Sequence, residues 1–248
     1  MEEGVIRCKL DLVIRLTDTT TGMAVSEYSA QFTFNKKPIR PRPGDNGNYI
    51  LVNSGRENGL MQAEVFGYEP SSAYVDYEQL DENMPMIDLF LIPSENMFPD
   101  PQDIFTLSGR LEGLSSLEAV HLGRPSSSTR EYDPKRRILT IFMPNRRMNM
   151  IHSYYGIANI AQGTFEDITI VSDLGGKRVR LKEPLQEEFS PNSPIFRIIF
   201  GKVGEDGSYL LRVRNDGKNQ KHLIKYVVNG EVRFKTVDFN RIDETTLD

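Results

Sequence analysis

The stretch Asp45–Val52 (Asp-Asn-Gly-Asn-Tyr-Ile-Leu-Val) is the feature that most constrains how this chain can fold. An acidic turn residue and a glycine precede a tyrosine and an apolar run, a pattern typical of a tight turn that leads into a β-strand. A shorter copy, Asp206–Val213, has the same order of residue types. Two copies in one chain predict two β modules, and we expect Tyr49 to pack in or beside the core of the first.

Alternation of apolar and polar residues with a period of two extends this prediction through the first half. In residues 5–17 the even-numbered positions from Ile6 to Leu16 are apolar and most of the others are charged, which indicates a half-buried strand. The proline-spaced residues 36–43 predict a stiff extended connection or an edge strand. Further short strands up to Ile92 are typical of a β-sandwich.

The turn signals of this half resemble those of a known family. Asp18–Gly22 (Asp-Thr-Thr-Thr-Gly), Asp45–Tyr49 and Val65–Tyr68 (Val-Phe-Gly-Tyr) are similar to motifs of the carboxypeptidase regulatory-like, or transthyretin-like, β-sandwich domains. The resemblance covers residues 5–92, and the chain departs from the family pattern by an insertion and a proline-rich approach before Tyr49. It implies an Ig- or transthyretin-like fold, an accessory or scaffold role, and no catalytic residues.

The remainder of the chain predicts a second β module behind a linker. Residues 93–104 contain three prolines and no periodicity, so they are predicted to be that linker. Val179–Leu185 followed by Ser193–Phe200 loosely resembles β modules of phage-tail and injection-machine proteins. The predicted fold class is therefore all-β, with a sandwich over residues 1–92 and a second sandwich or small barrel over residues 105–248.

Charge is distributed unevenly along the chain, whose formal net charge is −5. Residues 1–95 hold 15 acidic and 8 basic residues, and residues 96–248 hold 20 acidic and 22 basic residues. Neither part is basic enough for generic nucleic-acid binding, so no nucleic-acid partner is expected. No apolar run approaches the ~20 residues of a membrane span. The start lacks a signal-peptide pattern, so we expect synthesis in the cytoplasm, with later release as part of a particle.

No motif for catalysis, for a metal or for a cofactor is present. The chain has three histidines, His121, His152 and His222. They are far apart in sequence, which predicts structural roles and no metal site. Cys8 is the only cysteine, so an intramolecular disulfide is excluded. The adjacent acids Asp81-Glu82 and Glu187-Glu188 would point to opposite faces of a strand. We expect no enzyme, although a hydrolase that uses Glu187 and Glu188 is kept as a third hypothesis.

The stretch Asn145–Gly156 is the most distinctive segment of the second half. It concentrates Arg, Met and Tyr, which suit protein–protein interfaces. The candidate partner-binding residues are Arg146, Arg147, Met148, Met150, Tyr154 and Tyr155. A loop after the predicted strand 137–143 would present them to a partner. In the alternative interpretation, Ile151 and Tyr155 begin a core strand and the arginines are solvated.

The sequence favours a non-enzymatic structural or adaptor subunit of a large assembly, of the phage-tail-like or contractile-particle kind. Two β modules, proline-spaced edges and the Arg/Met/Tyr stretch support this hypothesis, and other protein subunits, in an oligomer or a larger complex, are the expected partners. A carbohydrate-binding or adhesion module is the alternative. Since the chain has no tryptophan, Tyr74, Tyr77, Tyr154 and Tyr155 would have to supply the sugar platform.

Overall fold

The computed structural model contains β-strands and no α-helix among the residues it describes, which confirms the predicted all-β fold class. It describes residues 9–26, 30–44, 47–94, 97, 100, 103–142, 150, 154–215, 217, 220–241 and 246–247. The chain divides into two compact units, Met1–Thr19 with Met23–Pro99 and Thr20–Gly22 with Asp100–Asp248. The division after Pro99 falls inside the segment that was predicted to be a linker. Within the described part, no helix is long and apolar enough to cross a membrane.

The first unit is a β-sandwich of two sheets. Its described strands are β1 (Leu10–Asp18), β2 (Met23–Ala24), β3 (Gln31–Phe34), β4 (Lys37–Ile39), β5 (Arg42–Pro43), β6 (Asn48–Val52), β7 (Gly59–Glu64), β8 (Ser71–Val75) and β9 (Met86–Leu91). One sheet has the order β2-β1-β6-β5 with β9 parallel to β1, and the other has the order β4-β3-β7-β8. The proline-spaced residues supply β4 and β5 at sheet edges, as predicted.

Both sheets of the first unit contribute to one apolar core. Tyr49 of β6 is buried there and contacts Phe32 of β3, with 4.7 Å between the ring centroids. The predicted packing of Tyr49 is therefore confirmed. The turn predicted to precede this strand starts at Asp45, which lies outside the described residues, so that part of the prediction stays a prediction.

Strand β1 is buried on both faces, so the prediction of a half-buried strand was wrong. It lies between β6 and β9, and its charged residues Asp11 and Arg15 are also buried. The Asp11 carboxylate accepts hydrogen bonds from the Ser54 hydroxyl and the Gly55 N–H, both at 3.2 Å. The Arg15 guanidinium forms an ion pair with Asp88. Because pairing offsets much of the desolvation penalty, charged side chains can occupy a face that alternation assigns to solvent.

The second unit combines a closed barrel with a sandwich. Its described strands are β10 (Ile104–Arg110), β11 (Leu114–His121), β12 (Ser127–Asp133), β13 (Ile138–Phe142), β14 (Tyr154–Asn159), β15 (Thr164–Gly175), β16 (Arg178–Leu181), β17 (Pro194–Phe200), β18 (Lys202–Val203), β19 (Ser208–Arg214), β20 (Lys221–Val228) and β21 (Glu231–Asp238). Antiparallel pairing in the order β12-β13-β16-β15-β14-β17 is closed into a ring by pairing of β17 with β12. Strand β17 also pairs with β11, and that sheet continues through β20 to β21.

The sheet that ends in β21 shares a core with the three-stranded sheet β10-β19-β18. Tyr209 of β19, the counterpart of Tyr49, is buried in this core. Asn229-Gly230, a dipeptide typical of type I′ hairpins, joins β20 to β21, and the φ angles of 51° and 82° at these residues are those of a type I′ turn. The sequence did not decide between a sandwich and a barrel for this half of the chain, and the second unit contains both.

Candidate functional site

The residues predicted to bind a partner occupy different environments. Arg146, Arg147 and Met148 lie outside the described residues, and their partner binding stays a prediction. Met150 is 3% exposed and Tyr155 is 0% exposed, and both pack inside the barrel. Tyr155 belongs to strand β14, where alternation turns its ring inwards. The placement of Met150 and Tyr155 on an exposed loop was therefore wrong, and Tyr155 lies in a core strand as in the alternative interpretation.

The tyrosines considered for a sugar platform are mostly covered. Tyr154 is half-buried and meets Phe200 edge-on, with 5.1 Å between the ring centroids. Tyr77 is half-buried beneath the guanidinium of Arg56, which lies 5.9 Å from its ring centroid. Tyr74 of β8 is 66% exposed on the outer face of its sheet. Of the four tyrosines considered, Tyr74 is therefore the one exposed enough to offer a flat aromatic platform.

Phe66 is the most exposed large apolar residue of the described chain, with 91% of its surface accessible. It lies in the turn between β7 and β8, where the Tyr68 N–H donates to the Val65 carbonyl at 3.1 Å. Gly67 has a φ of 82°. These features define a type II turn with Phe66 at its first corner and glycine at the second, where a positive φ is required. The buried neighbour Val65 anchors the turn in the core.

Hydrogen bonds hold the Phe66 turn in one conformation. The Gly67 carbonyl accepts bonds from the Ser94 N–H at 2.9 Å and from the Ser94 hydroxyl at 3.1 Å. The Tyr68 hydroxyl donates to the Asp18 carboxylate at 3.1 Å. The turn therefore presents an exposed aromatic side chain on a fixed backbone. The sequence motif Val65–Tyr68 marked the turn but gave no indication that its phenylalanine faces solvent.

An ionic cluster on the second unit joins Glu118 of β11, Asp167 of β15 and Lys225 of β20. The Lys225 ammonium donates to Asp167, lies 3.4 Å from Glu118 Oε2 and lies 5.6 Å from the ring centroid of Phe165. The Glu118 and Lys225 side chains are about four-fifths buried, with relative exposures of 21% and 18%. The sequence contains no sign of this cluster, because its members are distant along the chain and meet only through strand pairing.

Burial sets the protonation behaviour of this cluster. The pKa of the Glu118 carboxyl is raised to about 7, chiefly because desolvation disfavours its charged form; the neighbouring Asp167 charge also raises it, and Lys225 opposes both effects. Burial by itself would lower the pKa of Lys225, but its hydrogen bond to Asp167 and the charge of Glu118 outweigh that effect and raise it. Two carboxyl groups facing one ammonium thus favour retention of a proton on Glu118 near neutral pH.

The fold also brings together two histidines that are distant in sequence. His121 and His222 are paired in register on β11 and β20, with ring centroids 4.6 Å apart. His222 Nδ1 lies 3.0 Å from the Gln220 carbonyl oxygen, and His121 Nδ1 accepts the Gly123 N–H at 3.0 Å. Within the described residues no group of three His, Cys, Asp or Glu residues could hold a metal ion. His222 is fully buried and His121 is half-buried.

A cleft of about 650 Å³ lies beside the barrel. Glu187 and Glu188 of the hydrolase hypothesis line it, together with apolar side chains that include Leu185 and Phe189. The Glu166 carboxylate accepts the Glu187 N–H at 2.9 Å and fixes the lining loop. Both glutamates are exposed. The cleft therefore has two solvated carboxylates on its rim, and hydrolysis there stays untested.

No protein-family model matches the chain, and no curated protein matches it. Among solved structures, a chimeric titin Z1Z2-Z1Z2 tandem functionalized with a GRGDS exogenous peptide from fibronectin is aligned over 94% of this chain and 97% of its own, with 7% identity and a TM-score of 0.16. A TM-score this low carries no argument about fold or function.

Proposed function

We propose that this protein is a non-enzymatic structural or adaptor subunit of a larger protein assembly, of the phage-tail-like or contractile-particle kind. The observation that carries the proposal is Phe66, an aromatic side chain that is 91% exposed on a turn fixed by hydrogen bonds. Aromatic residues are enriched among interface hot spots, where they fill pockets of a partner. The resemblance of the first unit to scaffold domains agrees with this role.

The energetic argument concerns what Phe66 would contribute to binding. Moving a phenylalanine side chain from water into a protein pocket is favourable by about 2–3 kcal/mol. Each 1.4 kcal/mol changes affinity tenfold, so Phe66 alone would strengthen binding by roughly 30- to 150-fold. Because the turn is already fixed by bonds from Ser94 to Gly67, little backbone entropy would be lost on binding.

The test is site-specific cross-linking in the native source of the protein. A photo-reactive phenylalanine replaces Phe66 in one sample and Tyr74, also exposed and on the same unit, in the matched control. We expect a protein adduct from position 66 that reproducibly contains another subunit of one particle, and none from position 74. A Phe66→Ala chain that assembles as well as the wild type would contradict the proposal, as would an intact protein that stays monomeric with no adduct at position 66.

The alternative of carbohydrate binding now depends on Tyr74. This residue lies opposite Leu60 on the outer face of its sheet, and both side chains are exposed. An exposed aromatic ring beside a flat sheet face is the arrangement that a sugar ring needs for stacking. Glycan-array binding that Tyr74→Ala abolishes, with Phe66→Ala unaffected, would favour this function over assembly.

A further inference from the structure

An exposed phenylalanine lies between two cations on the outer wall of the barrel. Phe142, at the end of β13, is 42% exposed. The Arg130 guanidinium carbon lies 5.2 Å from its ring centroid, and the Lys177 ammonium lies 5.3 Å from it. Both contacts are within the range of cation–π interactions. The Phe142 ring is therefore an exposed aromatic surface flanked by two positive charges.

The basic character continues along the neighbouring strand. Alternation on β16 turns Val179 into the barrel core and leaves Arg178 and Arg180 exposed. Strand pairing sets Arg178 opposite Thr140 and Arg180 opposite Ile138. The outward residues of β13 therefore form a row from residue 138 to residue 142, about 13 Å long at the rise of a strand. Arginines follow one side of this row, and Phe142 ends it.

Pairing of β12, β13 and β16 brings Arg130 and Phe142 beside the cations of residues 177–180. We call Arg130, Phe142, Lys177, Arg178 and Arg180 the basic wall. Its four cations are exposed, and among the described residues none of them forms an ion pair. Two acids border the other side of the row, because β12 pairs there and sets Glu131 opposite Thr140 and Asp133 opposite Ile138, so four cations of the wall stand against these two acids. The basic wall is therefore a positive patch on a unit whose total charge is close to neutral.

We propose that the basic wall binds single-stranded nucleic acid. Its cations would neutralise phosphates, and a base would stack on the Phe142 ring and displace one of the two cationic side chains from it. Binding of single strands by small barrels uses this combination of a positive track and an aromatic platform. An acidic peptide would use the charges but leave the ring without a role. The expectation of no nucleic-acid partner depended on charge averaged over the half-chain, which does not report a local patch.

The test measures by fluorescence anisotropy how the full chain binds a labelled oligothymidylate of roughly ten nucleotides. This length lies within the site size of one small barrel. Four phosphate contacts predict a slope of log K against log salt of about −3 for a single strand. Phe142→Ala should weaken binding by roughly 5- to 150-fold, the loss of one stacked base. Phe142→Tyr, which keeps the ring, should retain affinity.

Two matched double substitutions distinguish an effect of the basic wall on binding from an effect of the net charge of the protein. Arg178→Glu with Arg180→Glu should abolish most binding and reduce the salt slope by about half, to about −1.5. Lys36→Glu with Lys37→Glu changes the net charge equally on exposed residues of the first unit and should leave binding unchanged. Thermal unfolding of every variant checks that each remains folded.

Three results would overturn the inference. The first is no binding at low salt, and the second is equal loss of binding in the two charge-reversal pairs. The third is binding of a labelled oligoglutamate peptide as tight as that of the oligonucleotide and insensitive to Phe142→Ala, which would assign the wall to an acidic protein. None of these results bears on Phe66 cross-linking, so failure of this inference and failure of the proposed assembly role are distinguishable.

Discussion

Replacement of Glu118 by glutamine should change how the stability of the second unit depends on pH. The pKa of this carboxyl is raised from 4.5 to about 7 in the folded protein. Between these values the folded state keeps a proton that the unfolded chain releases. The free energy of unfolding therefore falls as pH rises through this window. Glutamine resembles the protonated acid and carries no charge at any pH, so it removes this dependence.

The magnitude follows from the size of the shift. One pKa unit corresponds to about 1.4 kcal/mol, so the shift of Glu118 corresponds to at most about 3 kcal/mol. The free energy of unfolding of Glu118→Gln, relative to that of the wild type, should therefore increase between about pH 4.5 and pH 8, by up to about 3 kcal/mol. Lys225→Met should move the midpoint of the wild-type pH dependence upwards, because the Lys225 ammonium opposes the rise in the Glu118 pKa.

Hydrogen exchange of the amides of β11 and β20 is the suitable assay, because it reports local and global opening of this unit separately from the other. The exchange free energies of wild type and Glu118→Gln are compared at several pH values under conditions where opening is in equilibrium. Glu187→Gln, an exposed glutamate on the same unit, controls for the substitution itself. A difference between wild type and Glu118→Gln that stays constant from pH 4.5 to pH 8 would refute the reasoning.

Three further predictions concern stability and are checked by chemical denaturation. Arg15→Met should destabilise the first unit by about 3–5 kcal/mol because it removes the cation of a largely buried ion pair with Asp88, and Arg15→Met with Asp88→Leu should recover most of that loss. Gly67→Ala should destabilise by about 1–2 kcal/mol, since alanine is strained at a φ of 82°, whereas Phe66→Ala should change stability by less than about 0.5 kcal/mol at a solvated site. Leu247→Ala should cost about 2–5 kcal/mol because Leu247 is buried in the core of the second sandwich; a loss below about 1 kcal/mol would show that this core closes without it.

The fold class could be predicted because strands and turns are recorded locally in the sequence. The alternation around Leu139 and Val179, the Asn229-Gly230 hairpin and the tyrosine of each turn motif depend on neighbours within a few residues. The strand β14 was harder, since residues around Tyr155 combine interface-type and core-type side chains. The Tyr155 side chain is buried inside the closed barrel, and this burial decided between the two interpretations.

The candidate sites could not be predicted to the same degree. Glu118 and Lys225 are adjacent only because β11 pairs with β20. Arg178 lies beside the row that ends in Phe142 only because β16 pairs with β13. The residue types of Asn145–Gly156 instead suited an interface, but two of its six candidate residues, Met150 and Tyr155, lie in the core.

By itself, the sequence determined that the chain is all-β and where many of its turns lie, since backbone preference and side-chain alternation act over a few residues. It also determined that Tyr49 would pack in a core. Only the tertiary structure decided which charges gather, which carboxyl group is buried and which aromatic rings face solvent. These properties arise from pairing of strands that are far apart in the chain, and the pattern within one strand records its two faces but not its neighbours. Phe66 and Phe142 have the same side chain as the buried phenylalanines, and only their positions in the tertiary structure expose them to solvent.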